Sequence, residues 1–228
     1  MPHTSREFER ELSTLRERLL AMGGRAEQAI IRAMDSILRR DDALAARVID
    51  EDMRIDQDEI EIDELALLVL AKRQPVASDL RFVMLALKIV TDLERIADLA
   101  VNIAKRGRDL QESSPSGSLP ELRELGGRVQ QALRQALDAF VNADAVTAEN
   151  VIRDDTEIDH LNAQLIEGLL SPEHPDRGDH ARLLAISSIS RYLERVGDHA
   201  TNIAEMVIYY VRGRDVRHHQ ERLGNPRS

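Results

Sequence analysis

The sequence predicts an all-α fold of six long helices, arranged as two pseudo-symmetric antiparallel three-helix bundles. Three observations carry this. Leu, Ala, Arg, Glu and Asp dominate the 228 residues, aromatic residues make up 3% and Trp is absent, which is the composition of long amphipathic helices. Apolar residues recur at helical spacing through nearly the whole chain. The segment Leu93-Glu94-Arg95-Ile96-Ala97-Asp98-Leu99-Ala100-Val101-Asn102-Ile103-Ala104 also returns one hundred residues later as Leu193-Glu194-Arg195-Val196-Gly197-Asp198-His199-Ala200-Thr201-Asn202-Ile203-Ala204.

The first helix is read from about Ser5 to Arg40 on Phe8, Leu12, Leu15, Leu19, Met22, Ala26, Ile30 and Ile37, with Gly23-Gly24 a tolerated weak point. Asp41-Asp42 offers an N-cap to a second helix, carried by Val48, Ile55, Ile62 and Leu65 as far as Arg73, and Pro75 stops it. Ser78-Asp79 supplies N-cap candidates for a third, through Met84, Leu87, Val90 and Ile96 towards Arg108. The stretch from Glu112 to Pro120, rich in Ser, Pro and Gly, reads as a linker. Three helices follow it: about Pro120 to Val141, about Asp144 to Leu170 and, after a turn from Ser171 to Asp179, a last one to about Val211. The expected organisation is a first repeat over 1–112, a linker over 113–120 and a second repeat over 121–228, ending in a basic tail around His218-His219. The middle helices correspond too, since Val48, Asp52, Ile55 and Asp56 align with Val151, Asp155, Ile158 and Asp159 at an offset of 103.

A formal charge of -10 argues against a chain built to coat nucleic acid or an anionic membrane and suits cation binding or a basic partner. With no Cys, any metal must be held by oxygen or His ligands. The charged start of the chain, and the lack of any apolar run approaching the ~20 residues that cross a bilayer, predict a soluble, cytoplasmic protein. No phosphate loop, nucleophile elbow or His-Glu-x-x-His motif is present, so the reading is non-enzymatic.

The repeat keeps polar positions as well as apolar ones. On a helical wheel Glu94, Asp98 and Asn102, like Glu194, Asp198 and Asn202, form a stripe that borders the buried arc. Asp52 and Asp155 fall within an apolar seam, where a carboxylate requires a reason. One acidic stripe on so charged a chain is ordinarily a solvated face, with Glu94 or Glu194 paired to a nearby Arg. Its duplication points instead to carboxylate sites for a hard or borderline cation: iron, manganese, magnesium or zinc. Neither segment holds Glu-x-x-His, which counts against a ferritin-like oxidase. His199, matched by Leu99 in the first repeat, reads as a satisfied polar residue.

The run Ala71-Lys72-Arg73-Gln74-Pro75-Val76-Ala77-Ser78-Asp79-Leu80-Arg81, the two Leu-Glu-Arg motifs with their Asp and Asn followers, and the ending from Val207 to His218 together resemble the PhoU family over almost the whole chain. The resemblance implies two three-helix bundles with pseudo-twofold symmetry and multinuclear metal clusters on the motifs, which places ligands at Glu94, Asp98, Glu194 and Asp198. Asn102 and Asn202 follow on the same faces, and the seam adds Asp52, Asp56, Asp155 and Asp159 as supporting ligands. It also implies a homodimer that restrains the phosphate-starvation response, with the ATPase subunit of a phosphate transporter and a sensor histidine kinase as partners. It implies no direct nucleic-acid contact, and membrane association only through those partners. Competing readings are a metal storage or redox carboxylate protein and a helical adaptor with inert acidic faces. Ala97 stands where the family commonly has Gly, and its methyl is expected to tighten the first site against a neighbouring helix.

Overall fold

The computed structural model describes residues 2–112, 119–171 and 179–213. Within them the chain forms six helices: α1 (Pro2–Arg39), α2 (Asp42–Arg73), α3 (Ala77–Glu112), α4 (Pro120–Asn142), α5 (Ala145–Leu170) and α6 (His180–Arg212). The sequence-predicted linker core, most of the turn after Ser171 and the basic tail with His218-His219 lie outside the described residues.

Local chemistry sets the corners. The Asp41 side chain accepts from the backbone N–H of Leu44 and starts α2; Asp144 accepts from Val146 and Thr147 and starts α5. The two corners are copies. Arg40 and Ala143 take left-handed φ values of 54° and 50°, and the next N–H groups reach back from Asp41 to Ser36 and from Asp144 to Ala139, each at 2.9 Å. That reach satisfies carbonyls that the helix ends would otherwise leave unpaired. Two differences from the sequence reading are small. α1 begins at Pro2 rather than about Ser5, a place where Pro's missing N–H costs nothing. α3 begins at Ala77, ahead of Ser78 and Asp79, because the turn after Pro75 closes with the Asp79 N–H on the Val76 carbonyl at 3.2 Å.

α3 and α6 pack on each other at the centre, α1 and α2 cover α3, α4 and α5 cover α6, and α1 also touches α4. One apolar core runs through both repeats, with Leu93, Ile96, Ile103, Leu193, Val196 and Ile203 fully enclosed on the two motif helices. The α1–α4 crossing shows the pseudo-dyad directly. A Cβ on Gly23 of α1 would lie 2.9 Å from Leu137 of α4, and a Cβ on Gly126 of α4 would lie 2.7 Å from Met34 of α1; these pairs exchange under the 103-residue offset. Gly23, half of the pair expected to be a weak point, is thus a place where the two repeats pack tightly, while Gly24 faces open space. Phe82 of α3, Phe140 of α4 and Tyr210 of α6 cluster across the repeats with centroid separations of 6.4 and 6.0 Å, and Arg16 of α1 lies over the Phe82 ring.

Candidate functional site: two carboxylate faces

Each repeat brings the acidic stripe of its last helix against the seam of its middle helix. In the second repeat the carboxyl of Asp155 on α5 is pushed up to about 6, first by burial and then by the charges of Asp159 and Asp198. Glu194 and Asp198 on α6 are raised as well, burial again leading and Asp159 contributing to both. The first repeat repeats the pattern. Asp52 is raised by burial and then by Asp56 and Asp98, and Glu94 by burial and then by Asp98, with Glu59 and Asp56 adding to it. Carboxylates that lift one another in this way share a local field, since like charges disfavour each other's ionised forms. The structure thus gathers Asp52, Asp56, Glu94 and Asp98 into one face and Asp155, Asp159, Glu194 and Asp198 into another.

The two faces are not identical. Arg95 sits across the first motif, 3.3 Å from Glu94 and 3.3 Å from Asp98, which offsets part of its charge. In the second repeat Asn162 is buried, accepts a hydrogen bond from Ser190 and bonds to Glu194, lowering that carboxyl against the dominant effect of burial. The corresponding place on α2 is taken by Glu59, itself raised by burial, Asp63 and Asp56. Glu59 and Asp63 extend the first face beyond the predicted residues. The signal was present, since the two stand four residues apart and therefore on one side of the helix.

Asn202, expected to follow the motif on the same face as Glu194 and Asp198, also makes a contact with the other repeat. Its amide nitrogen reaches Oδ1 of Asp92 on α3 at 3.4 Å. The Nδ1–H of His199 donates to the same oxygen at 2.7 Å. The reason is rotational: each step of four residues turns a side chain about 40° around the helix, so the third member of the stripe has swung towards the neighbouring motif helix. His199 is a partnered polar residue, as read from the sequence, and it joins the repeats. Asn102 is half-buried on α3.

Ala97 and Gly197 also part company with expectation. The close packing belongs to Gly197, where an added Cβ would lie 3.2 Å from Ile158 and 3.5 Å from Asp155. Ala97 instead lines a cavity together with Asp52 and Ile55.

Every candidate ligand is an oxygen donor, and the donors repel one another, so the set suits a hard or borderline cation in its chemistry. Among the described residues no three His, Asp or Glu side chains stand together as a finished chelate. No described helix is long and apolar enough to cross a membrane.

Two three-helix repeats that share a core and each display a carboxylate face define a six-helix, two-repeat carboxylate bundle. The chain belongs to the PhoU family: the PhoU domain model matches residues 19–107 and again 122–207, one match per repeat. Its relatives include the phosphate-specific transport system accessory protein PhoU homolog of Pseudomonas putida, 43% identical over 95% of this chain and 85% of the relative. The phosphate-specific transport system accessory protein PhoU of Escherichia coli K12 is 35% identical over 95% of this chain and 90% of the relative. Among solved structures, PhoU from Pseudomonas aeruginosa superposes with a TM-score of 0.86 at 42% identity, covering 91% of this chain and all of the other. The phosphate transport system regulatory protein PhoU from Streptococcus pneumoniae gives 0.83 at 26% identity, covering 92% and 99%.

Proposed function

We propose that this chain is a non-enzymatic regulator of phosphate homeostasis, which couples a phosphate transporter to a sensor histidine kinase and restrains the phosphate-starvation response when phosphate is plentiful. The observation that carries this reading is the duplicated carboxylate face on a scaffold of the PhoU family, whose relatives bear the names of accessory and regulatory proteins of phosphate transport. A protein of this kind acts through a coupling free energy between two partners, and the partners must distinguish two of its states. The carboxylate faces are the surfaces suited to that. Asp155, Glu194 and Asp198 are held above the usual carboxylate range, so a cation that supplies the missing countercharge changes both the charge and the rigidity of the face.

In this reading the protein is cytoplasmic and homodimeric, and reaches the membrane only through the transporter's ATPase subunit. Glu94, Asp98, Glu194 and Asp198 are the principal cation ligands, with Asp52, Asp56, Asp155 and Asp159 supporting them; iron, manganese, magnesium and zinc all suit an oxygen donor set. The two sites differ in compensation: Arg95 bridges Glu94 and Asp98 on the first face, while Arg191 acts on Glu194 and His199 and Arg195 act on Asp198 on the second.

The test has two arms. Metal content and titration with Mn²⁺, Mg²⁺, Zn²⁺ and Fe³⁺ are compared between wild type and a variant with Glu94, Asp98, Glu194 and Asp198 all changed to Ala; the reading expects loss of binding at unchanged helicity. Affinity purification from cells should recover the transporter ATPase and the kinase. Unchanged metal stoichiometry would reduce these faces to ordinary solvated acid, and recovery of neither partner would remove the regulatory role.

A further inference from the structure

The first repeat holds a cleft between α1 and α2, floored by α3, with a volume of about 380 Å³. The same cleft in the second repeat, between α4 and α5, is about 30 Å³. The walls correspond at the 103-residue offset, since Ala132, Val151 and Ile158 of the closed cleft stand for Ala29, Val48 and Ile55 of the open one. On the floor, one difference is the residue pair Ala97 and Gly197. In the second repeat Gly197 lets Ile158 settle onto α6 so closely that an added Cβ would lie 3.2 Å from it. In the first repeat Ala97 carries that methyl, is itself buried, and lines the gap together with Ile55. A methyl at this place obliges the facing isoleucine to give way by a few tenths of an ångström, and the cleft that Ala97 and Ile55 line is the open one of the two.

The open cleft also differs in charge. Three arginines, Arg25, Arg32 and Arg54, and two carboxylates line it, whereas one arginine and two carboxylates line its twin. Gln135 takes the place of Arg32 and Glu157 that of Arg54. Arg25 and Arg54 share the single buried carboxylate of Asp58, and Arg32 pairs with Glu51. Two guanidiniums offer about ten N–H donors to the roughly four acceptor sites of one carboxylate, so most donors remain for a ligand. The floor, by contrast, is apolar: Val48, Ile55, Ala97 and Val101 are all buried. An apolar slot of a few hundred Å³ with a small number of polar groups at its mouth is the usual form of a small-molecule site.

We propose that this cleft binds an organic anion with an apolar body and a phosphate, sulfonate or carboxylate head, the body on the Val48–Ile55–Ala97 floor and the head among Arg25, Arg32 and Arg54. Asp52 lines the cleft and belongs to the first carboxylate face, so the occupant adjoins the surface proposed above for cations. The assignment rests on the cleft itself and not on that function.

The test uses the full chain and two fluorescent probes, the anionic 8-anilinonaphthalene-1-sulfonate and the neutral N-phenyl-1-naphthylamine. The wild type should bind the anionic probe at one site and the neutral one about tenfold or more weakly. Arg32→Gln with Arg54→Gln should abolish that preference. Ala29→Leu should fill the slot and lose both probes, and Ala97→Gly, which removes a methyl from the floor and gives Ile55 room to move in, should weaken both. Circular dichroism and urea midpoints identify variants that remain folded. Equal affinity for the two probes in the wild type, or unchanged binding in folded Ala29→Leu and Arg32→Gln/Arg54→Gln proteins, would overturn the proposal.

Discussion

Replacing Asp155 by Asn removes a carboxylate that burial, with Asp159 and Asp198, pushes from its ordinary 3.8 up to about 6. Because the folded state holds this proton more tightly than the unfolded chain does, the unfavourable term is absent below the unfolded value. It grows as pH rises through the window between the two values and is fully developed above the folded one. At 1.36 kcal/mol per pH unit the shift corresponds to an upper limit of about 3 kcal/mol. Asp155 is only partly enclosed, and solvent screening reduces the figure to roughly 1–1.5 kcal/mol. Asn keeps the oxygen that accepts from Thr201, the one partner that lowers this carboxyl. Urea denaturation of metal-free Asp155→Asn should therefore show a higher midpoint than wild type at pH 8, with an unchanged m-value. At pH 4.5 the advantage should fall to about a third of its pH 8 size. Divalent cation should narrow the pH 8 difference by stabilising the wild type more than the variant, which has lost a supporting ligand. A variant that is less stable than wild type at pH 8, or whose advantage does not depend on pH, would refute the account of the second face as a strained carboxylate cluster.

Three further outcomes test other parts of the structure. His199→Ala should cost about 1–2 kcal/mol, because it leaves Asp92 without its 2.7 Å partner, while metal content stays the same; lost metal would make His199 a ligand after all. Arg25→Ala should destabilise by about 2–3 kcal/mol in urea denaturation, since Asp58, whose side chain is 7% exposed, would keep only the looser Arg54 at 3.5 Å. Gly107→Ala places a Cβ 2.5 Å from Cγ1 of the β-branched Ile37 and should cost about 1–3 kcal/mol; a neutral result would show that α1 and α3 can separate there freely.

What the sequence disclosed was chiefly what is local or repeated. The caps at Asp41 and Asp144 depend on side chains two or three residues from the N–H groups they receive, and α4 and α5 begin and end within a residue or so of their predicted bounds. The acidic faces were legible because Glu94, Asp98, Glu194 and Asp198 survive duplication beside the seam residues Asp52 and Asp155. Contacts set by the rotation of one helix against another were not. Asp92 gives no sign in sequence that it will receive His199 and Asn202, more than one hundred residues away. Nor could a wheel drawn for a single helix show that the Asn202 amide would reach across to Asp92 of the other repeat. The Ala97 and Gly197 difference was visible, but its consequence was not: a methyl can tighten a contact or border a cavity, and only the packing around Ala97 shows which.

The central claim, that this chain restrains phosphate-responsive signalling through its carboxylate faces, is tested most directly by transcription of a phosphate-regulated promoter in cells grown in abundant phosphate. The strains compared lack the chromosomal copy and carry wild type, the Glu94/Asp98/Glu194/Asp198 quadruple Ala variant, or nothing. The account predicts a promoter that is on in the deletion, off with wild type, and on again with the quadruple variant expressed at equal level. A promoter that stays off in the deletion would contradict the regulatory role, and one silenced equally by the quadruple variant would contradict the part assigned to the carboxylates.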